Sequence, residues 1–371
     1  MIDVDRAQVM AFRVAALGLA ERSDAHPADL PVLDLGVQDS TPDSTRIALT
    51  ARTTAEPGRT TAEPGDDRLI IVWGARGAPH LHRRADLPSL VEQLWPVSDD
   101  DAAARIKSGQ IPDGARLGLR AFTATAEAFR AVVTGPMPRG QASTEVSRRV
   151  PAELTYDCKS CGARHIAGNV WQHAGLAGGV EVLARGKDAS LGPIPDPPPL
   201  PSANRGVDRL IETYLRLLGP AGPAEVAKYL GSTTAVIKGV WPSGLAEVRV
   251  DGRRAWLPQP EAARLESVPA PHGARWLPAM DPLLQARDRD LLVPGRERQK
   301  EVWRILGNPG VLLLDGEIAG VWRARMSGRK RVDLTVTPFE RLSKAQTSLA
   351  EEEAGQVARA RGVPEARVIF E

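Results

Sequence analysis

Residues 207–257 read VDRLIETYLRLLGPAGPAEVAKYLGSTTAVIKGVWPSGLAEVRVDGRRAWL, and the fold is argued outward from them. Val207, Leu210, Ile211, Tyr214 and Leu217 recur at the spacing of an amphipathic helix. Gly219-Pro220 stops it. Residues 223–230 predict a second helix, Gly231-Ser232 a turn, and 233–240 a third helix. Strand-length runs at 246–250 and 254–257 flank Asp251-Gly252, residue types that accept the left-handed φ of a two-residue hairpin turn. Three helices followed by a hairpin is the element order of a winged helix, and residues 202–259 are assigned to one.

Just upstream, Pro193, Pro195, Pro197, Pro198, Pro199 and Pro201 predict a stiff linker and a domain boundary. A second winged-helix-like unit is expected over 113–192. There Leu117, Leu119, Phe122, Phe129, Val132 and Val133 mark a long helix that ends at Gly135-Pro136. A first unit is expected over 1–112. Val9, Phe12, Ala15, Ala16 and Leu19 open it as a helix, and Thr41 with Pro42 reads as the cap and first turn of another. The apolar run at 69–73 and the segment 79–83 predict two strands, followed by a helix capped by Asp86. The remaining segment, 260–371, is expected to hold a hairpin turning at Asp315-Gly316, a third strand near 332–336 and a last helix from about 342 to 360. The fold class is therefore α+β, mostly helical, with tandem winged-helix units and a small C-terminal sheet. Residues 52–58, RTTAEPG, are repeated at 59–65. Each copy ends in Pro-Gly, which predicts an exposed loop.

Composition excludes several classes. Two cysteines in 371 residues argue against a disulfide framework and suit a reducing compartment. The N-terminal residues do not read as a signal peptide, and no apolar run has the roughly 20 residues that a membrane span needs. A cytoplasmic location is expected, nucleoid-associated when bound to DNA, with no membrane partner. A net charge of +2 gives nucleic-acid binding little support, so any DNA contact must come from local clusters of cations. There is no G-x-S-x-G, H-E-x-x-H, Walker loop or G-x-G-x-x-G, which weakens hydrolase, metalloprotease, ATPase and dehydrogenase readings.

Two clusters stand out. His80 and His82 alternate and so share one face of a strand, with Arg76, Arg83 and Arg84 close by. The strand either faces phosphate or a flipped base, or is an exposed wing with two satisfied histidines. Arg323, Arg325, Arg329, Lys330 and Arg331 crowd a hairpin next to Trp322. Cations on a ribbon suit phosphate contacts, and the alternative is an edge strand protected by charge. Cys158 and Cys161 have the spacing of half a zinc site, but seven residues separate the following His165 and His173, outside the usual ligand spacing. Neither a metal nor a cofactor is expected.

The stretch from Leu35-Gly36-Val37-Gln38-Asp39-Ser40-Thr41-Pro42 to Arg46-Ile47-Ala48-Leu49-Thr50-Ala51-Arg52 is similar to the start of the AlkZ/YcaQ family of winged-helix DNA glycosylases. Residues 76–80, RGAPH, resemble that family's arginine-glycine…histidine strand, and residues 313–323, LLDGEIAGVWR, its C-terminal hairpin. The resemblance implies tandem winged helices around a DNA-binding face and excision of alkylated bases or unhooking of interstrand crosslinks. The family's catalytic motif is Gln-x-Gln or Gln-x-Asp. Gln38 matches its first position, Ser40 occupies the second, and Asp39 is displaced by one. The candidate catalytic residues are therefore Gln38, Asp39 and Ser40. The candidate DNA contacts are Arg76, His80, His82, Arg83, Arg323, Arg325, Arg329, Lys330 and Arg331. The enzyme reading is a monofunctional glycosylase acting on double-stranded DNA as a monomer. The alternatives are a non-catalytic winged-helix DNA-binding or regulatory protein and a winged-helix protein used for protein contacts.

Overall fold

The computed structural model describes residues 2–55, 67–160 and 162–371. The fold is mixed α/β, with 43% of residues helical and 23% in strands, so helices outweigh strands as expected. The chain divides into two compact units that interleave along the sequence. One comprises residues 1–58, 212–225 and 243–371, the other 59–211 and 226–242.

In the first unit the strand Ile2–Val4 runs parallel to Leu245–Val250, which pairs antiparallel with Arg253–Pro258. The turn between the last two is the Asp251-Gly252 pair, both at positive φ (47° and 76°). That is the backbone a two-residue hairpin turn demands. The helix Arg6–Ala16 follows, its N-terminus capped by Asp5, whose carboxylate accepts from Gln8 N.

The C-terminal sheet has five strands in the order Ala274–Leu277, Gly310–Leu314, Glu317–Ser327, Arg331–Pro338, Glu365–Phe370. The first four are antiparallel neighbours. The last pairs parallel with Arg331–Pro338, which requires the crossover helix Lys344–Ala360 between them. That helix starts with a reciprocal Ser343–Gln346 capping box and buries Ala350, Ala354, Val357 and Ala358 on the sheet. Small residues let it lie close, and Trp276 Nε1 reaches Ala350 O at 3.0 Å. The expected third strand and last helix are present. The two outer strands were not foreseen, because 274–277 is short and 365–370 lies after the final helix.

In the second unit the hairpin Leu69–Trp73 with Pro79–Arg83 is where the pattern put it. Its Trp73 packs against Phe129 of the helix Leu119–Val132 and Trp171 of the helix Gly168–Ala174, with centroids 6.1 and 6.0 Å away. Phe129 and Trp171 themselves are 4.4 Å apart, and these three rings centre the core.

Five expectations differ from what the structure describes. The four consecutive segments do not coincide with the two units. Pairing of residues 2–4 with 248–250 ties the N-terminus to the C-terminal half, while Arg76 Nη1 on Tyr229 O and Ser232 Oγ on Asp101 Oδ1 tie 226–242 into the second unit. The proline-rich stretch, expected as a stiff linker, is partly packed on its own unit. Ile194 and Pro198 are buried, Ile194 N donates to Gly179 O, and Arg130 binds Pro198 O. Thr41 does not cap a helix. The helix is Ser44–Thr50, entered through Asp43 in the left-handed region (φ 63°). Asp86 precedes Leu87–Leu94 without a side-chain cap bond. Finally, the duplicated stretch is not wholly an exposed loop, since Arg52 and Thr53 are buried. Residues 56–66, which include the whole second copy at 59–65, lie outside the described residues.

Candidate functional site

Gln38 ends the short strand Val37–Gln38, after Gly36 turns the chain at φ 77°. In extended chain, alternate side chains leave on opposite sides. Gln38 and Ser40 both reach the segment 279–285, whereas Asp39 turns to Ser44. Ser40 Oγ donates to Ala279 O at 2.6 Å, and Gln38 Oε1 accepts from Gln285 Nε2 at 3.0 Å. Ser44 is buried at the start of its helix. Its Oγ accepts from Ser40 N (3.0 Å) and Thr41 N (3.3 Å) and donates to Asp39 Oδ1 (3.4 Å). One hydroxyl thus knits the turn that carries all three motif residues.

The amide orientations follow from the bonds around them. Gln285 Nε2 also donates to Met280 O at 3.0 Å, and Gln285 Oε1 accepts from Arg287 Nη2 at 3.3 Å. A donor on one side and an acceptor on the other fix which end of Gln285 is nitrogen. Gln38 must then offer its oxygen to Gln285. Both N–H groups of Gln38 Nε2 remain for a ligand, since no protein acceptor meets them among the described residues. The second lone pair of its oxygen remains as well.

Two ion pairs pin the segment 279–288 at either end. Arg52 forms a bidentate pair with buried Asp281 (2.8 and 2.9 Å) and also donates to Leu17 O and Ala48 O. Asp281 Oδ1 in addition accepts from Leu283 N, capping the turn Pro282–Gln285. At the far end buried Arg13 grips Asp288 at 2.6 and 2.9 Å and donates to Gly219 O and Pro220 O. Between the pins Met280 sits at φ 61°, a left-handed conformation that is rare outside Gly and Asn. Its carbonyl is thereby turned to Gln285. The sequence reading missed Gln285, Met280 and Arg287. The available signal was Asp281-Pro282, a cap followed by Pro at the first helical position.

The other candidates divide. Arg323 and Arg325 are exposed on one face of their strand, with buried Trp322 on the other. Arg329 and Lys330 are exposed at the turn, and half-buried Arg331 is paired with Asp333 (2.9 Å). In the second unit Arg76 donates to Tyr229 O at 2.8 Å and lies over the Tyr229 ring, and Arg83 pairs with Asp86 at 3.1 Å. His80 and His82 are buried. Burial pushes the His80 pKa down to about 3, helped by His82, against the Ala78 carbonyl that its Nδ1 meets at 2.8 Å. The ring is therefore a neutral interior group at ordinary pH, and in this structure it does not offer phosphate a cation. Cys158 is half-buried with Sγ 3.1 Å from Ser160 Oγ, and Cys161 lies outside the described residues. Among the described residues no group of three or more His, Cys, Asp or Glu is arranged to hold a metal ion.

Residues 32–360 match the family described as DNA glycosylase AlkZ-like, and the chain belongs to it. It is 31% identical over 173 residues to the interstrand DNA cross-link repair glycosylase of Streptomyces sahachiroi, which covers 44% of this chain and 45% of that protein. The match thus spans under half the length of that relative. The solved structure of the Streptomyces sahachiroi DNA glycosylase AlkZ is similar in fold over the whole of both chains, with a TM-score of 0.76 at 21% identity.

Proposed function

We propose that this protein is a DNA glycosylase that removes alkylated bases from double-stranded DNA, or unhooks crosslinked ones, by water attack at the sugar C1′. The observation that carries the reading is Gln38, at the first position of the family motif and held by Gln285, which Arg287 in turn orients, with its amide N–H groups open. When the glycosidic bond breaks, its electron pair leaves with the base and positive charge develops on the sugar. The lone pair left on Gln38 Oε1 can hold the attacking water while Nε2 binds a sugar oxygen. A base that is already cationic, such as 7-methylguanine, departs neutral and needs little acid catalysis. The second motif position is filled by Ser40, whose proton goes to Ala279 O, so it anchors the loop and supplies no charge. The winged-helix assignment, with residues 207–258 giving helix, helix, helix and hairpin in order, belongs to the same proposal, as does a nucleoid-associated location.

Purified protein incubated with duplex containing 7-methylguanine should release free base. Gln38→Ala should slow release at least about tenfold, a loss of roughly 1.4 kcal/mol of transition-state stabilisation. Wild type that binds this duplex and frees no base would leave the non-catalytic DNA-binding reading in its place. One observation favours that second reading: neither Asp39 nor any other carboxylate stands at the second motif position, because Asp39 faces Ser44.

A further inference from the structure

We infer that the loop Arg304-Ile305-Leu306 is a wedge that enters the base stack of duplex DNA beside the nucleotide presented to Gln38. The inference rests on the reading of this protein as one that acts on DNA, and it assigns a part to residues outside the motif.

Ile305 is 101% exposed and Leu306 87%. With Met326 at 42% they are the exposed large hydrophobic side chains among the described residues. Among the described residues no other large apolar side chain is exposed to this degree, and these two branched ones stand side by side at a loop tip. Single exposed apolar residues need no explanation, but an adjacent pair at full exposure is a contact surface without its partner.

The loop is held at its base. On one side it leaves the helix Arg296–Val302, where Trp303 N donates to Gln299 O (2.8 Å) and the Arg289 guanidinium lies 4.7 Å from the Trp303 ring. On the other, Arg323 Nη2 donates to Gly307 O at 2.8 Å, and Asn308 Nδ2 meets Met280 Sδ at 3.4 Å. Gly307, at φ 67°, gives the sharp turn between tip and anchor.

These anchors tie the base of the loop to the segment that carries Gln285. Asn308 touches Met280, Met280 O accepts from Gln285, and Gln285 binds Gln38. Leu306 is two residues from Asn308, so its Cα lies within about 7 Å of the Asn308 Cα.

Charge identifies the occupant. Arg304 is exposed next to the tip and is the one charged residue in 302–314. Arg323, which holds the loop, is exposed with Arg325 on one strand face. Cations flanking an apolar tip fit a polyanion with a stacked apolar interior. Ile, Leu and Met are residue types that open base steps in this way. An enzyme acting on a base must take it out of the stack, and a side chain filling the gap holds the duplex open meanwhile.

The test uses full-length protein and a duplex with 2-aminopurine next to an alkylated guanine. Wild type should raise the 2-aminopurine fluorescence several-fold on binding, as the probe unstacks. Ile305→Ser with Leu306→Ser should abolish the rise, keep duplex affinity within about tenfold, and melt within a degree or two of wild type. The conservative pair Ile305→Leu and Leu306→Met should restore the rise. Base release by the serine variant should fall at least tenfold on duplex yet stay within about twofold on single-stranded DNA, where no stack has to be opened. Unstacking by wild type without base release would remove the glycosylase reading and leave the wedge standing. An equal fluorescence rise in the serine variant overturns the wedge. So does a wild-type complex with no rise, or a serine variant altered only in its self-association, which would make the tip a protein contact.

Discussion

Gln38 and Arg52 stand 14 positions apart, and their side chains reach the same ten-residue segment, 279–288. Gln38 takes its orientation from Gln285, and Gln285 from Met280 O and Arg287. Arg52 holds Asp281, the residue after Met280. A buried ion pair is not in itself a net source of stability, but removing one partner strands the other charge in the interior. Arg52→Ala should therefore lower the unfolding free energy in urea by about 3 kcal/mol. A change below about 1 kcal/mol would show that water or a neighbouring cation takes over. Because Asp281 also caps the turn leading to Gln285, the loss should reach Gln38 as well as the fold.

At the scale of elements, the C-terminal sheet presents two faces with different duties. The face toward the helix Lys344–Ala360 holds Trp276, Trp322, Val332, Leu334 and Val336. The strand Glu317–Ser327 turns Arg323 and Arg325 the other way. Each phosphate neutralised by such a cation releases counterions, so log affinity falls with log salt in proportion to the number of contacts. Arg323→Ala with Arg325→Ala should weaken binding to every duplex sequence and flatten the salt slope by about 2. An unchanged slope, measured by fluorescence anisotropy across a salt titration, would take this strand out of the interface. Arg76 and Arg83 are half-buried and held by Tyr229 and Asp86, and are expected to contribute less than the exposed Arg323 and Arg325.

For the whole molecule, pH reports on the interior of the second unit. Burial lowers His80 and His173 to about 3, His173 with help from Arg105 and against Asp101. The unfolded chain binds those protons near pH 6.5, so between about 3 and 6.5 it holds more protons than the folded one. Stability that is full above that window is lost as pH falls through it, by up to about 1.4 kcal/mol per pH unit for each ring. Urea midpoints between pH 7 and 5 should fall steadily, and His173→Gln should reduce the slope by about one histidine's share. A variant with the wild-type slope would mean that His173 is charged in the folded state.

What the sequence determined by itself is local. Period and punctuation placed the helices and hairpins because an amphipathic repeat or an Asp-Gly turn is written in neighbouring residues. The strands Leu69–Trp73 and Pro79–Arg83, the helix Pro223–Leu230 and both Asp-Gly hairpins followed from that alone. The resemblance to a known family, and no local rule, singled out Gln38. Tertiary structure decided which partners those residues meet. Gln285 lies 247 positions from Gln38, and Asp281 229 positions from Arg52, with no local pattern linking either pair. It also decided charge. Arg76, His80 and His82 look like a basic strand in one dimension, and become interior or paired groups once burial and neighbouring carbonyls are in place. The physical reason is the range of the forces. Backbone propensity acts over a few residues, whereas desolvation and ion pairing depend on what the folded chain brings within a few ångströms.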